Sequence, residues 1–326
     1  MMPSGRFGEH RPEPAEERYR ATLESVTNRT RSKAKRRDQA SGRSTSRRPT
    51  KRKGRGTLPR WVPLAGFSVV VIAVAVAVFL RSTGTAAVTT GADPSVVAAV
   101  TGVPAGTLDA IGAPDGVTVP SALPTGTPPL VEGGKPVVLY IGAEYCPFCA
   151  AERWPMVVAL SRFGTFSNLG QTESAGSPEV YPNTPTFSFH GASYTSPYLV
   201  FQGVETETNQ RTLTGYTSLD TPTPQQQQLF QTYDAPPYVS SAGAIPFVLI
   251  GNRYVFNGSQ YLPSVLQGMS AASIASSLGD QTSPQAKAID GSANLLTAGM
   301  CTLTKQQPTD VCSSPGVTAA ASKLQR

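Results

Sequence analysis

The sequence predicts an α/β fold: a mixed central sheet with helices on both faces, preceded by one transmembrane helix and a disordered basic tail. Three observations carry that expectation. A continuous apolar run, "PVVLYIG" (136–142), has the length and β-branched content of a strand covered on both faces. A helical apolar pattern follows it directly, and a hairpin signature closes the unit further along the chain. Upstream, twenty uncharged residues, "WVPLAGFSVVVIAVAVAVFL" (61–80), lie between Arg60 and Arg81.

Residues 1–60 hold 18 Lys/Arg against 6 Asp/Glu and few large apolar side chains. Such a stretch buries too little surface to offset chain entropy and reads as a disordered cytoplasmic tail. At ~1.5 Å per residue, segment 61–80 spans roughly 30 Å, the hydrocarbon thickness of a bilayer. Pro63 sits in its first turn, where a missing N–H is tolerated. A buried soluble helix of that length would show a polar face, and this one has none. A cleavable signal peptide has a shorter leader and a shorter apolar core, though cleavage near "TGTAAV" stays open. The expectation is a single-pass signal anchor in the cell membrane. Residues 61–326 hold 10 Lys/Arg and 15 Asp/Glu, so the basic end stays cytoplasmic and the C-terminal domain lies outside. The sequence pI of about 9.3 therefore belongs to the tail. With no aromatic interleaving among its charges, nucleic acid is not an expected partner, whereas the bilayer is.

Residues 81–134 read as a linker with two short helices, split by Pro104 in "PSVVAAVTGVPAGTLDAIGA". The domain proper is expected over 135–280, with a polar insertion at about 165–243. After the first strand, "PFCAAERWPMVVALSRFG" has helical spacing, with Ala150, Trp154, Val158 and Leu160 to one side. Pro155 should kink it and Gly164 should stop it. "TFSFHG" (186–191) and "SPYLVFQGVETE" (196–207) read as strands, and "TPTPQQQQLFQTYD" (221–234) as a helix. "IPFVLIGNRYVFNG" (245–258) is a hairpin about Gly251-Asn252, residues that accept the positive φ of a tight turn. "PSVLQGMSAASIASSLGD" (263–280) reads as one helix capped by Gly279. Residues 281–326 are a helical extension, with a helix at about 284–299 leading to a second cysteine pair. A parallel βαβ opening and an antiparallel close make a thioredoxin-like arrangement.

Cys146 and Cys149, two of four cysteines, stand between the first strand's end and the following helix. Unpaired N–H groups and the helix dipole favour an anion at Cys146. Cys149 is one turn on, within reach of that sulfur. Cys146 is thus the candidate attacking thiol and Cys149 the resolving one. Zinc would need two more ligands, and Cys301 and Cys312 are spaced wrongly for a ribbon-type site, so no metal and no cofactor is expected. A purely structural Cys146–Cys149 disulfide remains the alternative. Ile245-Pro246 opens the hairpin where folds of this kind keep a cis-proline beside the dithiol; an ordinary trans proline at a strand start is the competing reading. Tyr145 and Phe148 flank the pair, as an apolar docking rim or as a shield for the resolving sulfur.

"CPFC" resembles the glutaredoxin dithiol, although no basic pattern for glutathione follows it. The segments "LYIGAEYCPFCAAERWPMVVALSRFG", "SFHGASYTSPYLVFQGVE" and "IPFVLIGNRY" resemble an uncharacterised prokaryotic family, domain of unknown function 929, over roughly residues 94–315. That resemblance implies membrane anchoring, a thioredoxin-like fold and a redox pair at Cys146 and Cys149, and it implies no particular substrate. Thioredoxins place a buried acid six residues before the first cysteine; Tyr140 stands here. Glu144, the nearest acid, reads as part of an exposed turn. Cys301 and Cys312 are expected to form a structural disulfide outside the cytoplasm, with a relay pair as the alternative. The function expected is a membrane-tethered, extracytoplasmic thiol–disulfide oxidoreductase. Its partners would be protein thiols or disulfides and a membrane electron-relay protein. A non-catalytic binding or structural module stapled by disulfides is the other reading.

Overall fold

The structure, a computed structural model, describes residues 89–325. The expected tail (1–60) and membrane span (61–80) lie outside the described residues. Among those described, no single helix is long and apolar enough to cross a membrane.

Strand β1 (Thr90–Gly91) leads into helices α1 (Pro94–Thr101) and α2 (Ala105–Ile111), separated at Pro104 as expected. Asp93 caps α1 by accepting the Ser95 N–H at 2.8 Å. These helices do not stand apart as a linker. Val96, Val100 and Leu108 are buried in the main core, because the apolar side of each helix docks on later helices. Strands β2 (Ser121–Ala122) and β3 (Val131–Glu132) then join the sheet built on β4 (Lys135–Gly142).

Helix α3 (Pro147–Ser161) follows. It is not one-sided: every residue from Cys149 to Leu160 is buried, Glu152 and Arg153 included. Pro155 leaves the Ala151 carbonyl without its helical donor, and the Tyr261 hydroxyl supplies one at 2.7 Å. One residue earlier, the Thr186 hydroxyl donates to the Ala150 carbonyl at 2.8 Å.

Short strands β5 (Thr165–Ser167), β6 (Gly170–Glu173), β7 (Pro185–Ser188) and β8 (Ser193–Thr195) form two small antiparallel sheets. β9 (Val200–Glu205) runs parallel to β4, in register from Val137↔Val200 to Gly142↔Glu205. Residues 165–243 are therefore not one insertion, since they contribute the parallel partner of the central strand. The hairpin β10 (Glu207–Arg211) and β11 (Tyr216–Ser218) precedes α4 (Pro224–Tyr233). Thr223 and Gln226 cap α4 reciprocally.

β12 (Phe247–Ile250) and β13 (Tyr254–Asn257) form the expected hairpin, turning through Gly251 (φ 59°) and Asn252 (φ 56°). β12 pairs antiparallel with β4 on the edge opposite β9, giving the order β2-β13-β12-β4 and a mixed sheet. Alternation along β4 divides the core. Val138 and Tyr140 face α3, while Val137, Leu139 and Ile141 face a second cluster against Leu229, Phe230 and Tyr233 of α4.

The single helix expected over 263–280 is broken. A 3-10 turn occupies Pro263–Leu266, and Gly268 takes φ 75°. Ser270 then caps a new helix, α5 (Ala271–Ser277), so Gly279 is not its left-handed cap. Helix α6 (Pro284–Leu303) is longer than expected and packs against α3; α7 (Thr309–Cys312) and α8 (Pro315–Leu324) complete the chain. Cys301 and Cys312 are joined by a disulfide. Closing that loop stabilises the fold by roughly 3 kcal/mol in the chain-entropy view.

Around α3 and α6 lie two fully buried carboxyls. Among the described residues Asp290 has neither oxygen hydrogen-bonded, and Glu152 has one without a partner, its other accepting the Gln260 N–H at 2.9 Å. Burial pushes Glu152 up to about 8 and Asp290 up to about 8. The folded protein thus holds these protons where an unfolded chain, with carboxyls near 4, has lost them. Stability should therefore fall as pH rises from about 5 to 8 and level off above. Urea unfolding across that range should show the slope, and Asp290→Asn should flatten it, gaining most relative to the parent at the alkaline end.

Candidate active site

The site grows from the handover between β4 and α3. Gly142 ends the strand, Cys146 is the N-cap of α3, and Pro147 fills the first helical position. An N-cap faces backbone N–H groups that have no partner within the helix. The Cys146 sulfur accepts one of them, from Cys149, at 3.4 Å. Cys146 and Cys149 are both free thiols, one turn apart. Cys146 is 6 % exposed and Cys149 is fully enclosed.

Their protonation is driven in opposite directions. A hydrogen bond from the Cys149 thiol, above all, lowers the Cys146 pKa; N–H groups of Cys149 and Phe148 and the Arg153 charge add to it, against burial. Burial pushes the Cys149 thiol well up, helped by its hydrogen bond to Cys146 and by that neighbour's charge. One sulfur is biased towards its thiolate while the other is biased towards keeping its proton.

The Ile245–Pro246 peptide is cis, and the Ile245 carbonyl lies 3.7 Å from Cys146 Sγ. Sequence-distant Ile245 and Pro246 are thereby brought beside the dithiol. Tyr145 and Phe148 are half-buried on either side of it. The Tyr145 ring stacks flat on Tyr216, centroids 4.1 Å apart, and Phe148 meets Tyr181 edge-on at 6.1 Å. Glu179 ties the two outer loops together, accepting from Arg211 at 2.9 Å and from the Tyr216 hydroxyl at 2.7 Å. Cys301 and Cys312, by contrast, are already paired with each other. Among the described residues no group of three or more His, Cys, Asp or Glu is placed to hold a metal ion.

Beneath the dithiol lies a feature absent from the sequence reading. Arg153 Nε and Nη2 grip the Glu205 carboxylate at 2.8 and 2.6 Å, with both side chains fully buried. Nη2 also donates to the Ala143 carbonyl at 2.7 Å. Burial works against the Arg153 charge, but the Glu205 carboxylate, by its charge and its hydrogen bonds, outweighs it and holds the guanidinium charged. Charged residues inside an otherwise apolar helix, and a glutamate closing an apolar strand, were the available signals. Glu144 also needs correcting: it is not in an exposed turn but 2 % exposed. The strand that follows β9 covers it, and its carboxylate accepts from Thr89 at 2.8 Å and Ser188 at 2.6 Å.

Two outcomes follow. Iodoacetamide should alkylate Cys146 alone in the reduced native protein, with a pH midpoint below that of an ordinary cysteine thiol near 8.5, as read by mass spectrometry. Arg153→Met should destabilise the protein by about 3–5 kcal/mol in urea unfolding by stranding Glu205, and Arg153→Met with Glu205→Leu should restore much of it.

Comparison with curated proteins and with solved structures returns no match. A family model described as Domain of unknown function (DUF929) matches residues 126–302, the stretch that carries the dithiol, the Arg153–Glu205 pair and the Ile245–Pro246 turn, and the chain belongs to that family.

Proposed function

We propose that the chain is a membrane-tethered thiol–disulfide oxidoreductase of thioredoxin-like fold, working on protein thiols or disulfides outside the cytoplasm. The observation that carries this reading is the asymmetric dithiol: an N-cap sulfur held towards its anion, with a protonated partner one turn away. The cis Ile245–Pro246 turn against that sulfur supports it, as does the mixed sheet that places both. The apolar stretch 61–80 supplies the tether, and the basic tail before it supplies the orientation.

In the reducing direction, the Cys146 thiolate attacks one sulfur of a substrate disulfide and the other leaves as a thiolate. Cys149 then loses its proton and attacks Cys146 Sγ, expelling the second substrate thiolate. The proton from Cys149 and one taken back from solvent, where Cys146 had released it on ionising, end on the two substrate thiolates; two electrons have left the protein, and a Cys146–Cys149 disulfide remains. The oxidising direction is the same path reversed. A membrane electron-relay protein returns the dithiol to its starting state.

The low exposure of both sulfurs favours a second reading, in which the pair is a staple in a binding module. Full-length protein in detergent distinguishes them. Reduction of insulin disulfides should vanish in Cys146→Ser, and Cys149→Ser should accumulate mixed disulfides on non-reducing gels. A dithiol potential below about −300 mV with no exchange activity would establish the staple instead.

A further inference from the structure

Cys149 presents a problem that the attacking thiol does not. It must become an anion for an instant, in a place with no solvent contact. Burying an isolated charge is prohibitive unless donors await it. Two unsatisfied donors lie close to its sulfur. The Tyr140 hydroxyl and Arg153 Nη1 are both fully buried, and neither has a hydrogen-bond partner among the described residues.

Gly142 locates one of them. A side-chain carbon built there would overlap the Tyr140 hydroxyl and lie 3.0 Å from Cys149 Sγ, so hydroxyl and sulfur face the same point. The guanidinium carbon of Arg153 is 5.8 Å from the centre of the Tyr140 ring. Its Nη2 holds the carbonyl of Ala143, the residue whose own N–H is directed at the Cys149 sulfur. Leaving polar groups unpaired in a core is destabilising, which makes a part-time occupant the economical explanation.

We infer that Tyr140, the Ala143 N–H and Arg153 form an anion pocket for the Cys149 thiolate. Tyr140 donates a hydrogen bond to the sulfur as its proton leaves. Arg153 is a positioning residue, fixing Ala143 and contributing its field, while Glu205 anchors the guanidinium. The inference rests on the oxidoreductase reading and assigns new residues to its second step. In that step the S–H bond of Cys149 breaks and its proton goes to the thiolate already released. The Cys149–Cys146 bond forms, and the Cys146–substrate bond breaks with its electron pair leaving on the substrate sulfur. The pocket lowers the barrier because its donors are oriented in advance in a site that excludes water.

Stopped-flow reaction of the reduced full-length protein with equimolar dithiobis(nitrobenzoate) separates the steps. One coloured thiolate leaves when Cys146 attacks and a second when Cys149 resolves. Tyr140→Phe, which removes only an unpartnered hydroxyl, should leave the first phase unchanged and slow the second by about 10- to 100-fold, the equivalent of one hydrogen bond to a charged group. The second phase should also shift to higher pH. Arg153→Lys, which keeps the charge, should retain more of that phase than Arg153→Met. A second phase unchanged in Tyr140→Phe, or two phases slowed alike, would overturn the assignment. If the parent protein released no first equivalent, the dithiol reading itself would fall, and this pocket with it.

Discussion

The contact on which the site depends is the buried ion pair between Arg153 and Glu205. It joins the middle of α3 to the end of β9, and through Ala143 it also holds the loop leaving β4. These three segments meet directly beneath the two thiols. Such a pair adds little net stability, because the desolvation of two charges offsets most of their attraction. Its value is geometric. A bidentate guanidinium–carboxylate contact accepts one arrangement of its backbones, so the strand ends and the helix start cannot slide relative to one another.

That contact exists because α3 is enclosed on all sides. The sheet covers one side through Val138, Tyr140, Val248 and Ile250, α6 and the 3-10 turn at Pro263–Leu266 another, and β7 and α1 further parts. Every polar group on the helix must then be answered from elsewhere in the chain. Tyr261 and Thr186 satisfy carbonyls about Pro155, and Trp154 Nε1 donates to the Pro185 carbonyl at 2.9 Å. Polar partners this numerous fix the helix rotation as well as its place. The groups left unpaired are informative by the same reasoning. Tyr140 and Arg153 lie near the Cys149 sulfur, while Glu152 and Asp290 lie among α3, Tyr261 and α6, where protonation removes their charge.

The same enclosure accounts for the misreadings. Ala150, Trp154, Val158 and Leu160 suggested a helix with one apolar side, yet Glu152 and Arg153 are equally buried. Periodicity reports where apolar residues lie and cannot report a charge neutralised by a partner 52 residues away. Glu144 reads as surface in "GAEYC" because its cover arrives from β10, far along the chain. The run 263–280 has helical composition throughout, and Gly268 followed by a capping Ser270 decided where it breaks.

Local chemistry was enough to establish family membership, a mixed α/β organisation, the hairpin at Gly251-Asn252 and the Cys301–Cys312 link. Each of these follows from short-range pattern, turn stereochemistry or parity of cysteines, information that neighbouring residues carry by themselves. Tertiary structure alone decided that residues 94–111 pack into the core, that β9 rather than an insertion flanks β4, and that Ile245 reaches Cys146. It alone brought a phenol and a guanidinium near Cys149. The physical reason is common to all of these: a buried polar group is defined by its partner, and here the partners come from distant parts of the chain.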